Sequence, residues 1–248
     1  MKKHLNSILL PLLTIGLGIF GALLRGIYFS SATDSQGLLR PFHPTQILLW
    51  ILTLGFAVFL FLNTRKLPQG AKYAFNFPLS PIHAIGDGVS GLGFLIFSIS
   101  LFASETDPLS LLCATLGLGS TIALILLGLY RWKGTRPTPI FSIILCVFLI
   151  LRLISCYRLW SPNPQMEEYL FPLFANVFAL LSCYYDATFT DSAGNRARHT
   201  FFHLFAVYCA IVSLPECDNV VFYLTVCVFM LSNLCNLTPI TTEKRKGI

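Results

Sequence analysis

Apolar and polar positions alternate along this chain in blocks, with eight long apolar runs at roughly residues 6–28, 45–63, 83–103, 109–131, 139–160, 169–189, 199–215 and 218–236. Each run is about 17–25 residues long, enough for a helix to cross a hydrocarbon core of about 30 Å. The separators carry proline, glycine and charge, which end helices. The last two runs are short and are divided only by Pro215-Glu216-Cys217-Asp218-Asn219. Such a polar cluster is costly in lipid, so a tight hairpin is expected there. The pattern predicts an all-α integral membrane protein of about eight transmembrane helices, forming one polytopic domain over residues 1–248.

Composition agrees with this class. Of 248 residues, 55% are hydrophobic and 11% charged, whereas soluble domains carry about 25% charged residues. The first run follows a basic start at Lys2 and Lys3. At about 20 apolar residues it is longer than a cleaved signal core of about 7–15, so an uncleaved first helix is expected. The eight cysteines show no CxxC spacing and six of them fall in or at the edges of apolar runs, where cysteine behaves as a small hydrophobe. Cys156 and Cys217 are the pair expected to lie together near the outer face.

Charge placement sets an orientation. Lys2, Lys3, Arg65, Lys66, Lys72, Arg131, Lys133, Arg136, Arg196, Arg198, Lys244, Arg245 and Lys246 fall on alternate separators, and most acids fall on the others. Positive residues beside helices are retained in the cytoplasm. Both termini are therefore expected to be cytoplasmic, in the cell membrane. The net charge of +6 follows from this rule and from anionic headgroups; membrane lipids are the implied partners, and no nucleic acid is needed.

Residues 1–133 and 134–248 share a plan. Lys3 to Arg25 and Arg136 to Arg158 are equally spaced, and each half ends in a hairpin over an acidic turn, 104–108 or 215–219. This suggests a 4+4 parallel repeat, an arrangement found among transporters. The segment 63–81 breaks the symmetry. It has three basic residues, no acids and the aromatics Tyr73, Phe75 and Phe77, a composition suited to an anionic membrane surface.

Arg152 lies deep within the fifth run, about 12 residues or about 18 Å from its cytoplasmic end. An arginine at that depth faces a bundle interior or a cavity. Three readings follow: a structural role, paired with an outer acid such as Glu167 or Glu168 or with helix carbonyls; a substrate-binding site for an anionic ligand or headgroup; and snorkelling in thinned lipid. Arg25 and Arg158, nearer the surface, are read as snorkelling residues.

A second set lies near the cytoplasmic face. His83 and Asp87 are four apart, His199 and His203 are four apart, and Asp186 ends the sixth run at similar depth. A spacing of four places each pair on one helical face, so the repeat would set the pairs opposite each other. Imidazole with carboxylate suits a proton relay or a divalent metal site. The bland alternative is a set of separate interfacial polar residues.

Two motif matches are set aside. Gly86-Asp87-Gly88-Val89-Ser90-Gly91 fits GxGxxG but has no preceding strand, so no dinucleotide or other organic cofactor is expected. Its glycines, with Gly18, Ala22, Gly26, Gly117 and Gly119, suit close helix packing. Glu167-Glu168 begins like the EExxxR of membrane-embedded proteases, but residue 172 is proline.

The leading expectation is a transporter or permease component for a small anionic or lipid-like solute. Alternatives are a non-catalytic assembly or regulatory partner, with 63–81 and 243–248 holding another membrane or cytoplasmic subunit, and a lipid-modifying enzyme. The enzyme reading is weakest because no nucleophile or ligand triad has distinctive spacing.

Overall fold

The computed structural model describes residues 2–32, 39–40, 42–67, 72–77, 81–104, 106–162 and 166–237. It is all-helical, 84% helix, with no strands among the described residues. The helices are α1 (Lys2–Ala32), α2 (Pro44–Thr64), the single turn α3 (Tyr73–Asn76), α4 (Pro81–Ser104), α5 (Pro108–Trp132), α6 (Ile140–Trp160), α7 (Leu170–Thr190), α8 (Arg196–Ser213) and α9 (Val220–Cys235). A 3-10 turn, Met166–Tyr169, leads into α7.

Of the eight long helices, six (α1, α2, α4, α5, α6 and α7) are long and apolar enough to cross a membrane. The other two are shorter. At about 1.5 Å per residue, α8 with 18 residues and α9 with 16 are about 27 and 24 Å long. The first turns of α8 also carry Arg196, Arg198, His199 and His203, which lower its hydropathy. Yet 13 of its 18 residues are buried, because α8 packs against α1, α2, α7 and α9. A helix enclosed by neighbours shows little surface to lipid and has no need of an all-round apolar face.

The turns are capped as their sequences dictate. Asp107, followed by Pro108 in the first helical turn, accepts from the Leu109 and Ser110 amides at 3.2 and 3.3 Å. Asn219 accepts from the Phe222 amide at 3.1 Å and starts α9. The short acidic turns thus satisfy helix N-termini that would otherwise leave open donors.

A twofold relation between the halves is not apparent in the packing. The repeat pairs α4 with α8, but α4 packs chiefly on α5 and α9, whereas α8 is central. The proposed packing glycines divide. Gly86 lies against Ser232, Gly18 against Ile211, Gly91 against Thr121 and Ile125, and Gly117 against Ser98, while Gly26 and Gly88 face open space. Gly128, which the sequence did not single out, matters most for the site. A Cβ there would lie 3.0 Å from the Ala84 carbonyl oxygen, so only glycine brings α5 this close to α4.

Candidate cation site and its buried ion pairs

The up-and-down chain brings the ends of α4, α5, α7, α8 and α9 together beside α3. On α4 and α5, Arg131 Nη1 donates to both Asp87 oxygens at 2.8 and 2.9 Å. Its Nη2 donates to Asn233 Oδ1 on α9 at 2.5 Å. Asn233 Nδ2 then donates to Asp186 Oδ2 on α7 at 3.0 Å. His199 Nε2 lies 2.6 Å from Asp186 Oδ1, and His203 Nε2 lies 3.4 Å from Oδ2. Four of the five expected residues, Asp87, Asp186, His199 and His203, therefore belong to one polar network spanning five helices. His83 lies at the edge of this network, close enough to feel the Arg131 charge. It lies one turn nearer the start of α4, half-buried, and is hydrogen-bonded to the backbone of Cys235.

The charges are distributed unevenly. Asp87 has a guanidinium held in a two-oxygen grip, the stronger form of ion pair. Asp186 is only 10% exposed, and among the described residues its ion-pairing partners are the two imidazoles. Arg196, in the first turn of α8, donates instead to Asn76 Oδ1 at 2.8 Å. A carboxylate withdrawn from water without a compensating charge costs several kcal/mol. The Asp186–His199–His203 group can take up positive charge, as protons on the imidazoles or as a bound cation.

The imidazoles are ordered by their surroundings. Their rings stack with centroids 3.8 Å apart, and His199 meets the Phe77 and Phe189 rings edge to face at 5.9 and 5.3 Å. His203 Nδ1 lies 2.8 Å from the His199 carbonyl oxygen. A carbonyl only accepts, so Nδ1 carries the proton, and Nε2 of the neutral ring presents a lone pair.

The basic aromatic segment covers this group. Phe77 and Asn76 are buried, and the Tyr73 hydroxyl bonds to the Arg131 guanidinium. Burial pushes the Tyr73 phenol above its ordinary value, so it stays neutral at physiological pH. Within 63–81, read from the sequence as either a plain connecting loop or a segment suited to a membrane surface, Asn76 and Phe77 pack into the bundle, Phe77 against Phe189 and His199. Residues 68–71, 78–80 and 243–248 and the Phe75 side chain lie outside the described residues. A pocket of about 550 Å³ opens beside α3, lined by Lys72, Tyr73, Phe77, Arg136 and Ser192 among others. Phe77 forms part of its wall and touches His199 on the other side.

At the opposite end of the bundle, Arg152 is 3% exposed and pairs with Asp218 in the α8–α9 turn. Its guanidinium lies over the Phe97 and Phe222 rings at 5.1 and 5.3 Å. Tyr223 donates to the other Asp218 oxygen at 3.4 Å. The paired acid is therefore on the hairpin rather than at Glu168, and the Glu167 side chain lies outside the described residues. Arg25 does not snorkel. It donates to the carbonyls of Val212 and Glu168 at 3.1 and 2.7 Å, since its face of α1 meets α8. Arg158 is exposed, 3.3 Å from Asp107. Cys156 and Cys217 are both free.

Sequence reasoning missed Arg131, Asn233, Asn76 and Asp218. Arg131 was absorbed by the positive-inside pattern and Asp218 by the polar turn. Asn233, an amide inside an apolar helix, was the signal available. No protein-family model matches this chain, and no curated protein or solved structure matches it either.

Proposed function

We propose that this chain is a multi-pass protein of the cell membrane with both termini cytoplasmic, in which α8 and α9 complete eight spans. It acts as a transporter or permease component that moves a small anionic or lipid-like solute together with a cation. The observation that carries this reading is Asp186, a nearly enclosed carboxylate without a fixed arginine or lysine partner among the described residues, facing two buried imidazoles. Intramembrane carboxylates and histidines in such settings mark ion pathways. Lys72 and Arg136 in the adjoining pocket favour an anionic solute, and Phe77 is the side chain through which solute and cation would sense each other. Arg152, with its charge already balanced by Asp218, holds the hairpin rather than the solute.

The test is flux. The purified chain in sealed vesicles, loaded with dyes for protons or divalent metal ions, is offered chloride, phosphate and small di- and tricarboxylates. Cation movement dependent on one of these anions is expected, reduced about tenfold or more in Asp186→Asn. No movement above empty vesicles for any anion would remove the transporter reading.

A second reading has one observation in its favour. Among its contacts, α2 packs chiefly on α1 and α8, leaving Ile51, Leu54, Val58 and Phe61 exposed. That stripe suits lipid or another membrane subunit, as an assembly partner would need. Crosslinking from α2 at native expression that recovered lipid alone would dismiss it.

A further inference from the structure

We propose that Asp186, His199 and His203 bind a divalent first-row transition metal of the zinc class, with His203 Nε2 and Asp186 Oδ2 as two of its ligands. This deepens the preceding reading by giving the cation a chemical class, and its link to transport rests on that reading.

Four observations converge. The ligand atoms offered by the three residues all lie within 4.8 Å of one another. His203 Nε2 is buried and among the described residues has no hydrogen-bond partner, and it lies 3.4 Å from Asp186 Oδ2. A proton on Nε2 would draw the two atoms to about 2.7–2.9 Å. Two ligands each about 2.0–2.1 Å from a tetrahedral zinc ion stand roughly 3.3–3.5 Å apart, which matches the spacing present. His203 Nδ1–H donates to the His199 carbonyl and Asp186 accepts from Asn233. Metal-binding imidazoles and carboxylates are usually steadied by outer partners of this kind.

His199 supplies the third ligand. Its Nδ1 is likewise buried without a partner, and its Nε2 is 2.6 Å from Asp186 Oδ1. Ligation through Nε2 releases the proton that this nitrogen shares with Asp186, as metal binding to imidazole requires. Two imidazoles and a carboxylate suit zinc, iron or cobalt better than calcium or magnesium, which favour all-oxygen sites.

The full chain, stripped with a chelator, is titrated with Co2+ and then Zn2+. One Co2+ per chain is expected, with the intense visible bands of a four- or five-coordinate site, displaced by one equivalent of Zn2+. Asn233→Leu removes only an outer partner and weakens binding about 10–100-fold. Asp186→Asn and His203→Gln weaken it further, and His83→Ala does not change it. Because a variant can fail to fold, X-ray absorption of the Zn2+-loaded natural chain provides an independent reading. Imidazole scattering with nitrogen and oxygen at about 2.0–2.1 Å supports the site. Sulfur ligation by the free cysteines, a pale six-coordinate cobalt spectrum, or bands unaltered in Asp186→Asn overturns it. Vesicles that move protons with an anion while the chain binds no Zn2+ would overturn the metal assignment and leave the transporter reading intact. A chain that binds Zn2+ at these residues but moves no ion would support the site and remove transport.

Discussion

The two ends of the bundle treat buried charge differently. At the Asp218 end, Arg152 has one carboxylate, two aromatic faces and a tyrosine-supported partner, so its charge is spent within the protein. At the α3 end, Asp87 is paired with Arg131, but the linked Asp186 faces only imidazoles; among the described residues His203 Nε2 and His199 Nδ1 have no hydrogen-bond partner, as is also true of Arg131 Nε and Arg152 Nε. A carboxylate with a fixed cationic partner has its charge balanced within the protein; one that faces imidazoles can gain a proton-borne or metal-borne partner. The difference teaches that burial depth alone, which first drew attention to Arg152, does not separate structure from function. What separates them is whether the buried charge faces an opposite fixed charge: the Arg152 guanidinium, whose Nε also lacks a hydrogen-bond partner, faces the Asp218 carboxylate, whereas among the described residues Asp186 is paired with imidazoles alone.

The largest effect that breaks this comparison is expected at the α3 end. Asp186→Asn keeps the shape and the Asn233 contact but removes the negative charge. Cation movement in vesicles should fall about tenfold or more, with the melting temperature in detergent little changed. Next comes the Asp218 end, where removing one partner strands the other. Asp218→Ala leaves a guanidinium that is 3% exposed without its carboxylate. Breaking a fully buried pair costs about 3–5 kcal/mol, and because Asp218 is 33% exposed about 2–3 kcal/mol is expected by thermal unfolding. Arg152→Met should cost less, about 1 kcal/mol, because the stranded carboxylate reaches water. Equal costs would show that Arg152 is not held as described.

Two smaller effects sharpen the same contrast. Gly128→Ala drives a methyl group toward the Ala84 carbonyl, and overpacking of this kind costs about 1–3 kcal/mol. It should loosen the Asp87–Arg131 pair and slow cation movement without touching Arg152. Phe77→Ala removes edge-to-face contacts worth about 0.5–1.5 kcal/mol each. Hydrogen exchange over residues 196–203 should rise, while exchange over α9 near Asp218 stays as it was.

Much of this was legible in the sequence, for identifiable reasons. The long helices follow from apolar runs whose length matches a membrane core, while the caps at Asp107 and Asn219 emerge only in the structure. His199 and His203 were grouped by their spacing of four, and Asp186 by its depth. Pairing across helices was less legible, because it depends on which faces meet. That Arg152 pairs with an outer acid follows from its depth; which acid does not, and it is the hairpin of α8 and α9 that folds Asp218 over it. Likewise, Arg131 obeys the charge rule for membrane loops and so concealed its grip on Asp87. The repeat suggested that α4 and α8 were equivalents; the central burial of α8 depends on packing that no linear pattern contains.

The most direct test of the central claim is cation flux measured side by side in vesicles bearing the natural chain, Asp218→Asn and Asp186→Asn, each normalised to folded protein. The account predicts movement in the first two and close to none in the third. Equal movement in all three, or loss in Asp218→Asn with Asp186→Asn unaffected, would contradict it and move the functional site to the opposite end of the bundle or out of this chain.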